Sequence, residues 1–326
     1  MGTSFFERPS EDQQRSLTAF ASDLLKNYGI HDAKISCINF EFNATFSVET
    51  DSGTKYALRI NINSTRTVEN MKGEIEWVRH LNRTSGIHTP TPIATLNDNY
   101  IISGFHKDSE QTLHAVMYSW LEGEELGDEP TLEQLHEVGR AIAILHQESH
   151  DFSLTSESSL PTFNDFFWGT EDYLFSSKSK LSDTDRALIK EAHDHIMKFT
   201  NELYANSPVH IIHADFHGWN LMWNDNRLSI FDFDDCGFGV EAQDLAVVLY
   251  YLDTPEQDVA ILNGYRSVKP LPQYSDLAMK ALLLQRRLLL LNYLFETKNQ
   301  EHQEMLPAYL EKSLERVKSF LTDVRG

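Results

Sequence analysis

His213-Ala214-Asp215-Phe216-His217-Gly218-Trp219-Asn220 is followed by Leu221-Met222-Trp223, by the turn former Asn224-Asp225-Asn226, and by Arg227 to Phe231, which returns to Asp232-Phe233-Asp234-Asp235. With Val209 to Ile212 in front, this is an island of β texture inside an otherwise helical half. If Leu221 to Trp223 pairs antiparallel with Leu228 to Phe231 about that turn, Asn220 and Asp232 lie side by side at the open end. Asp215, five residues before Asn220, then faces the same point from the preceding loop. An amide oxygen with carboxylates is a donor set for a hard cation such as Mg²⁺, and a free carboxylate beside it can orient a hydroxyl and accept its proton. Singly, Asp215 and Asn220 also read as turn formers. It is their order and spacing with Asp232 that carries the signal.

Upstream of this island the chain is helical from Thr131, where Thr131 and Gln134 suit a capping box for a helix burying Leu135, Val138, Ile142 and Leu145. Ser182 opens another helix with Leu188, Ile189, Ala192, Ile196, Phe199 and Leu203 on its apolar face. The N-terminal part differs. A helix from Ser10 ends at Gly29, with Ser10 and Gln13 resembling a capping box. Short β-rich runs follow at Ile35 to Phe40, Ala44 to Glu49 and Lys55 to Ile60, then a helix over Glu69 to Leu81 and two strands, Tyr100 to Phe105 and Leu113 to Trp120. The division expected is therefore α+β in two lobes: a small antiparallel-sheet lobe over 1–121, a hinge over 122–130 and a larger, mainly helical lobe over 131–326. A cleft between two such lobes is a common home for a small ligand.

Asp215 and Asn220 have the spacing of the kinase catalytic-loop signature, and Asp232 follows after one hairpin, where a second metal-binding Asp belongs. On these residues the chain resembles the aminoglycoside phosphotransferase family of protein-kinase-like enzymes, which also includes homoserine kinases, choline kinases and a bacterial stress-response kinase. The likeness runs from about Ile35 to Tyr250. It implies ATP with Mg²⁺ as cofactors, Asp215 as catalytic base, Asn220 and Asp232 as metal ligands, and His213 as the residue that holds the loop. It also implies that Arg59, in Tyr56-Ala57-Leu58-Arg59, meets the nucleotide phosphates and pairs with Glu74, and that Ser119 and Leu121 meet adenine through their backbones. Leu145-His146 and Gln243-Asp244-Leu245 match recurrent family positions with a structural part. Position 59 is Arg where protein kinases use Lys; arginine always carries charge and can grip phosphate bidentately. Asn39-Phe40-Glu41-Phe42-Asn43-Ala44 stands at the phosphate-covering loop with no glycine, and the resemblance gives Asn43 part of that task. By themselves Arg59 and Glu74 also fit a surface pair. The acceptor implied is a hydroxyl of a small molecule of aminoglycoside, amino-alcohol, homoserine or sugar type; a stress-response type protein Ser/Thr kinase or a non-catalytic nucleotide-binding module is the alternative.

The 326 residues include 28 Lys plus Arg against 49 Asp plus Glu, a formal net charge of −21, which argues against a nucleic-acid partner needing a broad basic face. Cys37 and Cys236 lack ligand spacing for zinc, and with no apolar leader at the N-terminus a cytoplasmic place is expected. Ala281 to Phe295 is the richest apolar stretch, but Gln285-Arg286-Arg287 interrupts it, short of a membrane span. Those three polar residues either bring cations to the cleft or mark a solvent face. The acidic run Glu122 to Glu129 either draws an amine-bearing acceptor or is a solvated loop, and Trp219, Trp168 and Phe166 either line an acceptor pocket or belong to the core.

Overall fold

In the computed structural model, which describes residues 4–326, the chain opens with α1 (Ser10–Leu25), β1 (Ala33–Phe40), β2 (Asn43–Thr50), β3 (Lys55–Asn61), α2 (Val68–Thr84), β4 (Pro92–Ile93), β5 (Ile101–His106) and β6 (Gln111–Ser119). The strands form one antiparallel sheet in the order β1-β2-β3-β6-β4, with β5 also paired to β6. Alternation explains its buried face: Ala44, Phe46 and Val48 of β2 point one way, and Leu17, Ala21, Leu24 and Leu25 of α1 complete the core they enter. The helix begins one residue earlier than a Ser10 cap would allow. Pro9 is its N-cap, and Gln13 Nε2 donates to the Arg8 carbonyl at 2.8 Å. Ser10 is already helical there, so the expected box with Gln13 does not form. On α2 a box does form, Thr67 and Asn70 exchanging side-chain to backbone bonds at 3.2 Å each.

The remainder comprises β7 (Glu124–Glu125), α3 (Leu132–Asp151), α4 (Asp183–Asn206), β8 (His210–Ile212), β9 (Leu221–Asn224), β10 (Arg227–Ile230), β11 (Gly237–Gly239), α5 (Glu241–Tyr250), α6 (Pro255–Arg266), α7 (Asp276–Glu296) and α8 (Gln300–Arg325). The Thr131–Gln134 box caps α3, with bonds of 2.8 and 3.2 Å. Helices α3 and α6 touch backbone to backbone. A Cβ on Gly139 would stand 2.0 Å from the Ile261 carbonyl oxygen, and one on Gly264 would stand 1.9 Å from that of His136, so only glycine permits the approach. A second core gathers Leu174, Ile189 and Ile196 with Leu288, Leu291, Val317 and Leu321. Phe166 belongs to this core. No helix among the described residues is long and apolar enough to cross a membrane.

The chain divides into two compact units. The first holds the residues up to Glu124 together with Phe152–Ser159 and Met222–Asp234; the second holds Glu125–Asp151, Leu160–Leu221 and Asp235–Gly326. Two stretches far along the chain thus join the N-terminal unit. The Thr155 and Ser158 hydroxyls each donate to Glu76 at 2.6 Å, and the Ser159 N–H donates to the Glu69 carbonyl at 3.1 Å. Ile230 N–H donates to the His88 carbonyl at 2.9 Å, and the Ser229 hydroxyl meets His88 Nδ1 at 2.6 Å. Asp225 and Asn226, both at positive φ, turn the chain between β9 and β10.

Candidate active site

In the first unit the central strand β3 carries Arg59 inward, where it is 8% exposed, and α2 carries Glu74, 3% exposed. The two are ion-paired through Arg59 Nη2, which makes this a buried pair, not a surface one. Tyr118 of β6 donates its hydroxyl to Glu74 Oε1 at 2.7 Å, and Arg59 Nη1 lies 4.0 Å from Asp234 Oδ1. Burial opposes the charge on Arg59, but Glu74 foremost, then Tyr118 and Asp234, hold it charged. Asn43 begins β2 after a two-residue turn in which Glu41 N–H donates to the Asn43 carbonyl at 3.0 Å; its Nδ2 donates to Asp234 Oδ2 at 2.7 Å. The Asp234 backbone carbonyl accepts from Arg66 Nε at 2.8 Å. Burial raises the Asp234 carboxyl; Arg59, hydrogen bonds with Asp232 and Asn43, and the charge of Arg66 outweigh it and hold the group below its ordinary range. Asp232 adopts the left-handed region, φ 61°. Ser119 commits its N–H to the Thr91 carbonyl and its hydroxyl to the Thr91 N–H, both at 2.8 Å, and Leu121 is buried.

In the second unit the loop after β8 turns at Ala214, whose φ of 68° is left-handed. An L-residue there costs about 1–2 kcal/mol. A buried carboxylate braces the turn: Asp244 of α5 accepts from His213 N–H at 3.0 Å and from Ala214 N–H at 2.7 Å. Its Oδ2 also meets His146 Nε2 at 3.0 Å, and His146 Nδ1 meets the Tyr265 hydroxyl at 3.0 Å. His213 is fully buried, and its Nδ1 accepts from the Asp215 N–H at 3.3 Å. The loop is thus fixed from beneath before its functional side chains emerge.

Asp215 is held by three partners. Arg286 of α7 pairs with Oδ1 through Nη2, while on Oδ2 His217 Nε2 stands at 3.2 Å and Asn220 Nδ2 donates at 2.9 Å. Asn220 Nδ2 also donates to the Asp215 carbonyl at 3.0 Å, so its Oδ1 is the atom suited to a cation. Burial alone raises the Asp215 carboxyl; Arg286 first, then His217 and His213, hold it well below the usual carboxylate range. Such a group is ionised at any ordinary pH. Its chemistry is to accept a hydrogen bond from a hydroxyl and fix its direction, which suits a transfer whose barrier rests on positioning. Arg286 Nη2 also donates to the Tyr251 hydroxyl at 2.7 Å. A hollow lined by Gly127, Asp128, His217, Trp219, Tyr251 and Gln257 lies on this unit, with Trp219 Nε1 donating to Asp128 Oδ1 at 3.1 Å.

Thus Arg59, Glu74, Asn43 and Asp232 stand in the first unit with Asp234, and Asp215 and Asn220 meet in the second. The amide oxygen of Asn220 and the carboxylate of Asp232 are each, by type, a hard oxygen ligand of the kind that Mg²⁺ prefers. Sequence reading passed over Arg286 as a partner of Asp215, because its signal was only a polar break in an apolar helix. A model of the phosphotransferase enzyme family matches residues 41–277. The chain belongs to the phosphotransferase enzyme family. Among relatives, the amicoumacin kinase of Bacillus subtilis (strain 168) is 26% identical over 274 residues, covering 78% of this chain and 79% of that one. Among solved structures, a microcompartment-associated aminopropanol kinase has a TM-score of 0.79 at 22% identity, over 94% of this chain and 98% of its own. The amicoumacin kinase hAmiN, solved with AMP-PNP, Ca²⁺ and Ami, has a TM-score of 0.75 at 17% identity, over 94% and 96%. The phosphotransferase therefore has the protein-kinase-like α+β fold, and kinases of small molecules are its relatives.

Proposed function

We propose that this phosphotransferase moves the γ-phosphoryl group of ATP to a hydroxyl of a small, amine-bearing molecule in the cytoplasm, where its free thiols Cys37 and Cys236 remain reduced. The observation that carries this reading is the Asp215 carboxylate, oriented by Arg286, His217 and Asn220. Asp215 fixes the acceptor hydroxyl and takes its proton as the bond to phosphorus forms. Arg59, braced by Glu74, and Asn43 set the phosphates, and the backbones of Ser119 and Leu121 receive the base. Asn220 and Asp232 hold Mg²⁺, which when bound neutralises charge on the phosphates. An amine is favoured because the carboxylate of Asp128 and the exposed face of Trp219, 52% accessible, are the surroundings an ammonium group seeks.

The test is Mg²⁺-dependent ADP release from ATP over a panel of amino alcohols, aminoglycosides, homoserine, choline, sugars and generic protein substrates. Asp215→Asn should lower turnover with the active acceptor by about a hundred- to ten-thousandfold while nucleotide affinity stays unchanged. Undiminished turnover in Asp215→Asn would refute the assignment. Activity confined to acceptors without an amine would remove the amine from the reading and leave the transfer intact.

A further inference from the structure

Away from Asp215, three potential ligands converge within the second unit. His150 stands in the last turn of α3, His210 starts β8 and Glu241 starts α5. One ligand atom from each lies within 4.8 Å of the other two, His150 Nε2 standing 3.7 Å from Glu241 Oε1, and the two imidazole rings are 3.9 Å apart between centroids. Nothing in the reading of the phosphoryl-transfer site uses them. His210 is 8% exposed, and its Nε2 is buried with no hydrogen-bond partner. A buried polar atom left unsatisfied costs about 1–3 kcal/mol, so this nitrogen asks for an occupant.

The charge around Glu241 points the same way. Lys269 places its ammonium 2.5 Å from Oε1, and the Tyr265 hydroxyl donates to Oε2 at 3.2 Å. A cation already answers the carboxylate, and it hangs on a flexible side chain that can swing away. Tyr265 is a ready outer support for a ligating carboxylate.

We infer that His150, His210 and Glu241 form a second metal site, for Zn²⁺ or a similar borderline-soft divalent ion, that displaces the Lys269 ammonium. Two imidazole nitrogens with one carboxylate are a zinc-type donor set, open at a fourth position for water. The set is poor for Mg²⁺, which prefers oxygen, so the two metals sort by ligand chemistry. Its place gives it a task. The ion ties α3, β8 and α5 together, and β8 and α5 supply the loop start and the Asp244 that braces it. The ion holds the base of the loop and takes no part in transfer.

The probe is Co²⁺ added to the full-length chain in excess Mg²⁺, read by visible absorption and displaced by Zn²⁺, with thermal melting alongside. The expected result is the intense band of a low-coordinate, nitrogen-ligated cobalt, bleached by Zn²⁺, and a melting temperature raised by Zn²⁺. His150→Gln, at a position 46% exposed, keeps the fold and should weaken Co²⁺ binding by about tenfold or more. His210→Gln and Glu241→Gln should abolish the band, Lys269→Met should tighten binding, and Asp232→Asn should leave the band as it is. No band in the wild type, or a band that survives His150→Gln at full affinity or vanishes in Asp232→Asn, overturns the inference.

Discussion

Arg286 sets the protonation of Asp215, and its replacement separates burial from charge. In Arg286→Met the carboxyl loses the cation that holds it down, while the burial that pushes it up remains. If Asp215 acts as proposed, activity needs its ionised form, so the acidic limb of the kcat/KM profile is expected to move to higher pH, and Arg286→Lys to move it less. An unmoved limb in Arg286→Met would detach the arginine from Asp215. The same lowering makes a stability statement: the pair contributes above the unfolded carboxyl value of about 3.9, and the contribution is lost as pH falls through the lower folded value. Glu74→Gln keeps the shape beside Tyr118 but leaves Arg59 without its nearest counter-charge. Breaking a buried pair costs about 3–5 kcal/mol, so the variant should melt earlier and show a higher KM for ATP, checked by calorimetry and nucleotide titration. Asp215, Asn220 and Asp232 were legible because they crowd into eighteen residues of sequence. Arg286 was not, since it lies 71 residues from Asp215, and a polar break in an apolar helix reads alike whether it faces solvent, a core or a site. Here all three residues turn inward: Gln285 donates to the Phe166 carbonyl at 3.0 Å and Arg287 to the Ser313 hydroxyl at 2.9 Å.

Local signals fix where most elements begin, and contact between elements decides the exceptions. The capping pairs at Thr67 and Thr131 formed as short-range chemistry dictates; Ser10 and Gln13 did not, because Pro9, one residue earlier, already holds the extended cap conformation. Glycines 139 and 264 gave no sign of their purpose in the sequence, where a helical glycine is only a weak point. In the fold they let α3 and α6 touch. Gly264→Ala drives a methyl against the His136 carbonyl and should cost about 1–3 kcal/mol, read as a lower denaturation midpoint with an unchanged slope. A substitution without effect would mean that the helices can part freely. At the loop after β8, Ala214→Val adds a branched side chain at a left-handed position. It should be destabilised by more than the roughly 1–2 kcal/mol ordinary at such positions, and turnover should fall with it.

For the whole molecule the net charge of −21 sets a long-range field that draws cations. With an amine-bearing acceptor, kcat/KM should fall as ionic strength rises from about 0.01 to 0.15 M, while a neutral acceptor of similar size should show no such slope. Comparing two acceptors in the same salt series checks this. A two-part α+β plan was legible from the switch between period-two and helical patterning. The membership of 152–159 and 222–234 in the first unit was not, since it depends on bonds such as Ser158 to Glu76 and Ile230 to His88 that join residues far apart in sequence. This interleaving bears on how such a gene can change. A recombination with one breakpoint near Glu124 would carry away the sheet but leave behind Asp234, which holds Asn43 and faces Arg59. The sheet and the hairpin must therefore be inherited from the same parent, and a single crossover cannot exchange the N-terminal part as a detachable module.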